Sequence, residues 1–361
     1  MHINSLHITS FRNLPSGTVA FGNEVNIFYG KNGSGKTNLL EALFTLLLGR
    51  SQRGAPDAVI LRNNETAYRL EGKIVVDKRE YETAVAYQKG GRKKITVDSS
   101  TVRAADLFRR HSAVSTAPED IEILHGGPSV RREFVNVYLS QASIAYLALL
   151  SDYQKALAQK NAFLKRSDNG AVNPFDDLIV AYGSEIILAR REFINAITGP
   201  AAGFYEKIAG GHQLRISYKP SVRDTGETLD EIKSGFYKKL ARYHDREMIL
   251  QTSLVGPHRD EVEFFINEFP ARAYGSQGEL RTAALSLKMA VFAYLKKIRR
   301  TTPILLMDEI FAELDDSRQE RLIEAFDSFG QLFLTTAAEI PKGLFENSHR
   351  YYIEDGNINA Q

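Results

Sequence analysis

The chain has 361 residues, of which 25% are charged and 43% hydrophobic, with a formal net charge of +2 at pH 7. A chain of this length can bury a large core, and we expect one large or two smaller domains. It contains no cysteine, which excludes disulfides, thiolate metal sites and cysteine nucleophiles. So small a net charge gives no overall attraction for nucleic acid, and any such binding must come from local patches.

The sequence shows no membrane or export signal. No apolar run approaches the roughly 20 residues that a membrane-spanning helix needs. Residues Met1 to Asn13 alternate apolar and polar side chains, unlike the charged-then-apolar order of a signal peptide. We therefore expect a cytoplasmic chain without a membrane partner.

The first motif along the chain is Gly30-Lys31-Asn32-Gly33-Ser34-Gly35-Lys36-Thr37, which fits the phosphate-binding pattern G-x-x-x-x-G-K-[ST]. Its glycines let backbone N–H groups curl around an anion. Lys36 can reach the β- and γ-phosphates of ATP, and the Thr37 hydroxyl can ligate Mg²⁺. Residues 1–29 read as paired strands, the last of them a buried strand over 25–29, and residues 37–48 read as an apolar helix ended by Gly49. A glycine-rich turn without a ligand is the alternative.

Two-residue alternation over about residues 67–97 predicts an antiparallel sheet. One of its turns, residues 89–94, is basic, and its side chains Arg92, Lys93 and Lys94 are candidate DNA contacts. A solvated hairpin tip explains the same charges equally well. Residues 134–250 then read as mostly helical, with a break at Thr198-Gly199-Pro200. No sustained heptad is present, so we expect no long coiled coil.

The second motif bears two adjacent carboxylates and lies near the other end of the chain. Pro303 to Met307 has the pattern of a buried strand and leads into Asp308 and Glu309. In phosphate-loop ATPases this is the Walker B arrangement, in which Asp308 would hold Mg²⁺ opposite Thr37. Glu309 would then orient the water that attacks the γ-phosphate. Taken alone, the same pattern also fits a strand that ends at the surface.

The third motif, Ser276-Gln277-Gly278-Glu279, opens a helix predicted to run to about Ile298. It matches the signature S-x-G-[EQ] of ABC-type ATPases, and a helix amino terminus with free N–H groups can bind an anion. A capping box between Ser276 and Glu279 is the structural alternative.

Together the three motifs mark the ABC ATPase superfamily of SMC-like repair heads. Finer motifs resemble the RecF family over essentially the whole chain. They are Phe11-Arg12-Asn13, Gly33 to Asn38, Pro118-Glu119-Asp120, Gly127-Pro128 with Arg131-Arg132, Gly256-Pro257-His258-Arg259-Asp260, and Phe311 to Asp315.

The resemblance implies an α/β fold: an ABC-type ATPase head with a phosphate-loop core, an antiparallel β subdomain and a mostly helical second lobe. Residues 1–133 and 251–361 would form the ATPase lobe. Residues 134–250 would form the second lobe, with the signature helix 276–298 packing on it. Arg12 and Arg53 are candidate nucleotide or dimer-interface residues by their position in the family pattern, and a surface salt bridge is the alternative for each.

By resemblance, the chain would be an ATP- and Mg²⁺-dependent, DNA-binding protein of bacterial recombinational repair. Two copies would close around two ATP molecules as a clamp on double-stranded DNA, near single-strand gaps, and would help RecO and RecR load RecA. Residues 30–37 and Asp308 of one subunit would face Ser276, Gln277 and Gly278 of the other. Lys36 and Glu309 would be catalytic, and Arg131 and Arg132 are further candidate DNA contacts. When bound to DNA the protein would be associated with the nucleoid.

Two departures limit the analogy with the wider superfamily, and the second of them predicts slow hydrolysis. Pro118-Glu119-Asp120 stands where many ABC proteins have the Q-loop glutamine. Thr335-Thr336-Ala337 stands where many have a histidine that senses the γ-phosphate.

Two other classes of protein remain as alternatives. A nuclease-linked SMC-like ATPase would need a nuclease domain after the ATPase core, for which few residues follow Thr336. A regulatory or transporter ATPase would show no effect of DNA on nucleotide turnover.

Overall fold

A computed structural model describes residues 1–166, 173–222, 226–310, 329–337 and 348–360. Among these residues, no helix is both long enough and apolar enough to cross a membrane. The strands are β1 (His2–Thr9), β2 (Gly17–Ala20), β3 (Val25–Tyr29), β4 (Ala67–Val76), β5 (Arg79–Gln88), β6 (Lys94–Val97), β7 (Ser100–Val102), β8 (Ala113–Thr116), β9 (Leu214–Lys219), β10 (Glu261–Ile266), β11 (Phe269–Pro270), β12 (Ile304–Met307), β13 (Leu332–Thr336), β14 (His349–Glu354) and β15 (Asn357–Ala360).

Helices connect most of these strands. They are α1 (Lys36–Leu48), α2 (Asp57–Ile60), α3 (Ala104–Arg110), α4 (Glu122–His125), α5 (Pro128–Ala142), α6 (Ile144–Leu164), α7 (Asp176–Ala209), α8 (Leu229–Leu250), α9 (Ala271–Tyr274) and α10 (Gln277–Arg299).

The chain divides into two compact units. The first unit comprises Met1–Asp120, Lys207–Gly210 and Ala284–Gln361, and the second comprises Ile121–Glu206 and Gly211–Ala283. The sequence instead predicts lobe boundaries after residues 133 and 250. That division, and the packing of the signature helix on the second lobe, stay predictions.

The first unit holds two six-stranded sheets. One has the order β15-β14-β3-β13-β12-β8, in which β14, β3, β13, β12 and β8 run parallel and β15 runs antiparallel to β14. The strands β12 and β13 are buried at every position, as expected for a parallel sheet covered on both faces. Because β3 is in the middle of this sheet, the loop that follows it emerges at the carboxyl edge.

The other sheet is antiparallel, with the order β2-β1-β4-β5-β6-β7. It confirms the sheet predicted at about residues 67–97. One face is apolar and buried, because the side chains of Leu70, Ile74 and Val85 point the same way on paired strands. At Gly72 an added Cβ would lie 2.3 Å from the side chain of Leu46 on α1, so glycine permits the close approach of helix and sheet.

One expectation for the amino-terminal strands is wrong. Residues 1–29 were expected to form one set of paired strands, but only β1 and β2 pair with each other. The strand β3 instead pairs in parallel with β13 and β14. Nearby sequence favours local antiparallel pairing, whereas the partners of β3 lie some three hundred residues away in the sequence, as in Phe333 opposite Asn26.

The second unit is mostly helical and contains a three-stranded sheet of order β11-β10-β9. The predicted break at Thr198-Gly199-Pro200 is wrong, because α7 continues through Pro200. Thr198 Oγ1 donates to Ile194 O at 2.6 Å, and Ile197 and Ala201 on either side are fully buried. Burial of this apolar face outweighs the backbone hydrogen bond that proline removes. Residues 311–315 of the RecF-like motifs lie outside the described residues.

Candidate functional site

The predicted phosphate loop joins the end of β3 to the start of α1. Gly30 has φ +153°, and a Cβ there would lie 2.2 Å from the backbone oxygen of Ile353. Gly35 has φ +115° and is packed against Asn13 and Leu14. Both positions therefore require glycine for conformation and for space. The helix ends as predicted, with the Gly49 N–H donating to Thr45 O at 2.8 Å.

Lys36 is the first residue of α1, and its side chain is buried along the loop. Its ammonium donates to Gly30 O at 2.9 Å and Lys31 O at 3.2 Å, and lies 3.0 Å from Glu309 Oε1. The other oxygen of Glu309 accepts from the Ala337 N–H at 2.9 Å. The structure thus brings together the two residues that the sequence predicts to be catalytic.

Thr37 and Asp308, the predicted metal ligands, are in direct contact. Oδ1 of Asp308 accepts from Thr37 Oγ1 at 2.9 Å and from Thr335 Oγ1 at 2.6 Å. Burial raises the pKa of Asp308, the hydroxyls of Thr335 and Thr37 oppose that rise, and the negative charge of Glu309 adds to it. A desolvated carboxylate beside a second carboxylate is stabilised by a cation. Thr335, at the position noted for lacking histidine, thus contacts the site through its hydroxyl.

The segment Phe11-Arg12-Asn13 braces the loop. Arg12 adopts φ 54° and donates from Nε and Nη2 to the two oxygens of Glu41, at 2.9 and 3.0 Å. Glu41 is fully buried on α1 and also accepts from Ser51 Oγ. The salt bridge considered as the alternative for Arg12 is therefore present, and its partner is buried.

Asn13, the next residue, contacts the phosphate loop directly. Its Nδ2 donates to Gly33 O at 3.2 Å, and its Oδ1 accepts from Asn38 Nδ2 at 2.8 Å. The guanidinium of Arg53 lies at 4.0 Å from Glu119, where both side chains are substantially exposed. Of the two candidate arginines, Arg12 is the one that donates two hydrogen bonds to a buried carboxylate, that of Glu41, next to the loop.

The residues present fit a nucleotide and its metal ion. The hydroxyl of Ser34 is buried in the loop and has no hydrogen-bond partner, which suits a phosphate oxygen. Gly33 has φ +80° and open space around its Cβ direction, so nothing blocks an approaching anion there. Within the described residues, no group of three acidic or histidine side chains could hold a metal alone. Mg²⁺ bound with nucleotide needs only one or two protein oxygens, which Thr37 and Asp308 supply.

The signature segment lies in the second unit. Ser276 and Gln277 are exposed, and α10 begins at Gln277. The capping box is present: Ser276 N–H donates to Glu279 Oε2 at 2.9 Å, and Glu279 N–H donates to Ser276 Oγ at 3.4 Å. Capping fixes the start of the helix and leaves the segment accessible. A role of Ser276, Gln277, Gly278 and Glu279 toward nucleotide stays a prediction.

The basic hairpin divides into exposed and anchored residues. Arg92 and Lys94 are exposed. Lys93 donates to Gly49 O at 2.6 Å and lies 2.9 Å from Asp57 Oδ1, so it anchors the hairpin to the end of α1.

Arg131 and Arg132 both form hydrogen bonds within the second unit. Arg131 is buried and donates to both oxygens of Glu261, at 2.6 and 2.7 Å, and to Gly126 O. Arg132 donates to Asp260 O at 2.9 Å. These contacts give both side chains a structural role, and a DNA contact by either stays a prediction.

The segment at the Q-loop position, Pro118-Glu119-Asp120, is also fixed by an ion pair with a buried lysine. Asp120 Oδ2 accepts from Ala117 N–H at 2.8 Å, and Asp120 Oδ1 lies 2.7 Å from the ammonium of Lys288. Lys288 further donates to Ser115 O at 2.7 Å. Sequence reasoning missed Lys288 and Glu41. The signal was available, since each is a single charged residue within an apolar helical segment.

Comparison with known proteins gives consistent relatives. Residues 2–353 match the RecF/RecN/SMC N terminal domain family. The chain is 33% identical over 371 aligned positions to the DNA replication and repair protein RecF of Geobacillus kaustophilus (strain HTA426), covering 100% of both chains. It is 33% identical to the RecF protein of Streptococcus thermophilus (strain CNRZ 1066), covering 99% of this chain and 98% of the relative.

Solved structures agree with these relatives. The structure of the recombination mediator protein RecF-ATPrS in the RecFOR pathway is similar with a TM-score of 0.90 and 29% identity, covering 99% of this chain and 98% of that one. The corresponding RecF-ATP structure has a TM-score of 0.89 and 28% identity, covering 100% and 97%. The Smc head domain of Pyrococcus furiosus, at 15% identity and TM-score 0.56, shares the fold. The predicted α/β ABC-type head is thereby confirmed, and the described residues contain no long coiled coil.

Proposed function

Because the chain belongs to the RecF family of DNA replication and repair proteins, we propose that it is an ATP-dependent DNA-binding protein that dimerises around ATP. The dimer would act as a clamp on double-stranded DNA, and slow hydrolysis would time its release. It would act with RecO and RecR in loading RecA at single-strand gaps. The observation that carries the proposal is the contact of Thr37 with Asp308 beside the pair formed by Lys36 and Glu309.

Each residue of this site has a proposed role in nucleotide turnover. Bound Mg²⁺ would supply charge neutralisation at the β- and γ-phosphates. Lys36 and the loop N–H groups of residues 30–37 would hold the phosphates, while Thr37 and Asp308 would hold the metal ion. Glu309 would accept a proton from the attacking water. Its carboxylate lies 3.0 Å from the ammonium of Lys36, beside the phosphate loop.

We propose that hydrolysis is slow because the site lacks a γ-phosphate-sensing histidine. Thr335 occupies the corresponding strand end, and its hydroxyl donates to Asp308. A hydroxyl cannot carry the positive charge that an imidazolium brings to the transition state.

The signature would act across the dimer. Ser276 and Gln277 are exposed at the start of α10, where helix N–H groups favour an anion. The γ-phosphate of a second copy's nucleotide fits this chemistry. Its removal by hydrolysis would weaken the dimer, because contacts that depend on the phosphate are lost.

Sedimentation velocity of the purified protein tests the proposal. We expect a monomer without nucleotide or with ADP, a dimer with ATP, and a larger dimer fraction when duplex DNA is added. Lys36→Met should abolish the ATP-dependent dimer, since it removes the phosphate contact. A species that stays monomeric with ATP and DNA would refute the clamp.

A substitution at the signature separates binding from dimerisation. Ser276→Arg places a bulky cation at an exposed position, so each monomer should still bind ATP while the dimer is lost. Loss of ATP binding by the monomer would contradict the role across the dimer. Ser129→Arg, at an exposed position in the first turn of α5, controls for the added charge.

A further inference from the structure

A basic surface lies where the ends of α3 and α10 meet in the first unit. Arg299, the last residue of α10, donates to Phe108 O at 2.6 Å and to Arg109 O at 2.5 Å. These carbonyls belong to the last turn of α3, so Arg299 fastens the two carboxyl-terminal ends together. Consequently, the exposed cations of both helix ends, which are far apart in sequence, are brought close together.

An aromatic side chain extends this surface onto the antiparallel sheet. The guanidinium of Arg110 lies 5.3 Å from the ring centroid of Tyr81 on β5, and that of Arg79 lies 4.7 Å from the same centroid. These distances are within the range of cation–π attraction. We call the exposed cations Arg79, Arg109, Arg110, Lys297 and Arg300 the basic cluster.

Within the described residues, ion pairs involve only one cation of the cluster. Arg79 lies 3.4 Å from Asp98, but 68% of its side chain is exposed. Within the described part of the chain, the other four cations of the cluster form no ion pair. Positive charge at this site also affects a neighbouring buried side chain. The pKa of His111 falls to about 4, chiefly through burial and further through Arg110 of the cluster and the adjacent Arg299.

The cluster is at the opposite sheet edge from the nucleotide site. The strand β8 starts at Ala113, just after α3, and β12 starts at Ile304, just after α10. Both strands are parallel, and they run from the cluster toward Thr116 and Asp308. The cluster is therefore separate from the phosphate loop and cannot be part of the triphosphate site.

We propose that the basic cluster binds the phosphate backbone of duplex DNA. Long, mobile Arg and Lys side chains suit phosphates, which position a protein on DNA without reading sequence. A protein partner would call for an apolar centre. At the end of α10, Ile298 is the one large apolar side chain with strong exposure. This inference rests on the DNA binding proposed above and assigns it a surface.

Neutralising variants of the full-length protein test the assignment. We compare wild type with Arg109→Gln/Arg110→Gln and with Lys297→Gln/Arg300→Gln, measuring affinity for a duplex by fluorescence anisotropy over a range of salt concentrations. Arg299 is left intact because it joins the helices. Each lost phosphate contact should reduce the slope of log K against log salt by about 0.9. A double variant should therefore lose up to about 1.8 in slope and roughly tenfold or more in affinity at low salt.

Lys238→Gln/Arg242→Gln, two exposed cations on α8, removes the same charge elsewhere and should leave the slope unchanged. Wild-type protein that fails to bind DNA would refute the proposed function itself. Wild-type binding with unchanged slope and affinity in both cluster variants would overturn this inference alone. Unchanged DNA binding together with weaker binding of polyglutamate would overturn it in favour of an acidic protein partner. ATP-dependent dimerisation, measured in parallel, should stay unchanged in both variants.

Discussion

The hydroxyl of Thr37 donates a hydrogen bond of 2.9 Å to Oδ1 of Asp308, although 271 positions separate the two residues in the chain. The contact joins the start of α1 to the end of β12. Because parallel strands end at the same edge of their sheet, the two motifs meet there. The two oxygens proposed to bind one metal ion are thereby placed side by side.

Replacing Thr37 by alanine tests this pair. Thr37→Ala removes one proposed metal ligand and one hydrogen bond to Asp308, so ATP affinity in the presence of Mg²⁺ should fall about 10–100-fold. Isothermal titration at several Mg²⁺ concentrations measures the change. Thr45→Val serves as the control, since it removes a buried hydroxyl on the same helix that has no hydrogen-bond partner. Equal ATP affinities of Thr37→Ala and wild type would contradict the metal role.

Glu309→Gln separates turnover from binding. Glutamine keeps the size of the side chain and an oxygen that can accept from Ala337 N–H, but it cannot take a proton from water. Hydrolysis should slow by about 100-fold or more, and the ATP-bound dimer should persist. Steady-state phosphate release and sedimentation with ATP measure both effects. Glu24→Gln, an exposed carboxylate just before β3, is the control, and normal turnover in Glu309→Gln would place the base elsewhere.

Burial of Asp308 lowers the free energy of unfolding, and the size of this effect depends on pH. Its folded-state pKa is raised, so the folded protein binds the proton more tightly than the unfolded chain. The free energy of unfolding therefore falls as pH rises through the interval above the ordinary aspartate value. Asp308→Asn cannot ionise and still offers an oxygen to Thr37 and Thr335. It should be more stable than wild type at neutral pH without nucleotide.

Urea unfolding of Asp308→Asn and wild type over a range of pH checks this expectation. The advantage of the variant should shrink as pH falls toward about 4, where the unfolded wild-type chain is also protonated. A variant less stable than wild type at neutral pH would contradict it. ATP binding in Mg²⁺ should be weakened at every pH, since the metal ligand has lost its charge.

Several parts of the site follow from the sequence alone, because local patterns carry them. The phosphate loop, the helix ending at Gly49 and the capping box at Ser276 depend on residues within a few positions of one another. The contacts of Glu41 with Arg12 and of Lys288 with Asp120 join segments distant in the sequence. A lone charged residue in an apolar helix indicates that a partner exists, but only the packing identifies it.

The fold shows the same division. Alternation of apolar and polar residues predicts β4, β5 and β6, since each pairs with its neighbour in the chain. The pairing of β3 with β13 could not be predicted in this way, because parallel register is set by distant segments. Pro200 gave a misleading signal, since local propensity yields to burial of the face that includes Ile197.

The pair of Arg12 and Glu41 should be energetically coupled. Glu41 is fully buried, while about a fifth of the Arg12 side chain is exposed, so the cost of breaking the pair is reduced by solvent. Glu41→Gln should cost about 2–3 kcal/mol of unfolding free energy, since it leaves the guanidinium without its counter-charge. ATP affinity should also fall, because Asn13 next to Arg12 supports Gly33.

A double-mutant cycle with Arg12→Met measures this coupling by urea unfolding. We expect a coupling energy of about 1–3 kcal/mol. Glu71→Gln breaks the exposed pair with Arg69 and should change stability by less than about 1 kcal/mol. Strictly additive effects of Glu41→Gln and Arg12→Met would show that the two side chains do not support each other.

His258 should make the protein less stable in mild acid. Its Nε2 lies 3.1 Å from Ser253 O and must donate to this carbonyl, so Nδ1 accepts from Tyr153 Oη at 2.6 Å. The pKa falls to about 4, chiefly through burial, with further lowering by Arg259, Arg132 and Lys160 against a rise from the bond to Ser253. Stability is thus fully present above the ordinary histidine value and is lost as pH falls through about 4. The loss amounts to about 3 kcal/mol at the acid end.

His258→Gln removes this titration while keeping a donor for Ser253 and an acceptor for Tyr153. Its unfolding free energy should therefore decline less steeply than that of wild type between about pH 6.5 and 4. His212→Gln, on the exposed surface, controls for the loss of a histidine as such. The buried His111, whose pKa is also lowered to about 4, remains in the variant, so part of the acid slope should survive. Identical slopes for His258→Gln and wild type would mean that His258 is protonated without cost and that its contacts rearrange.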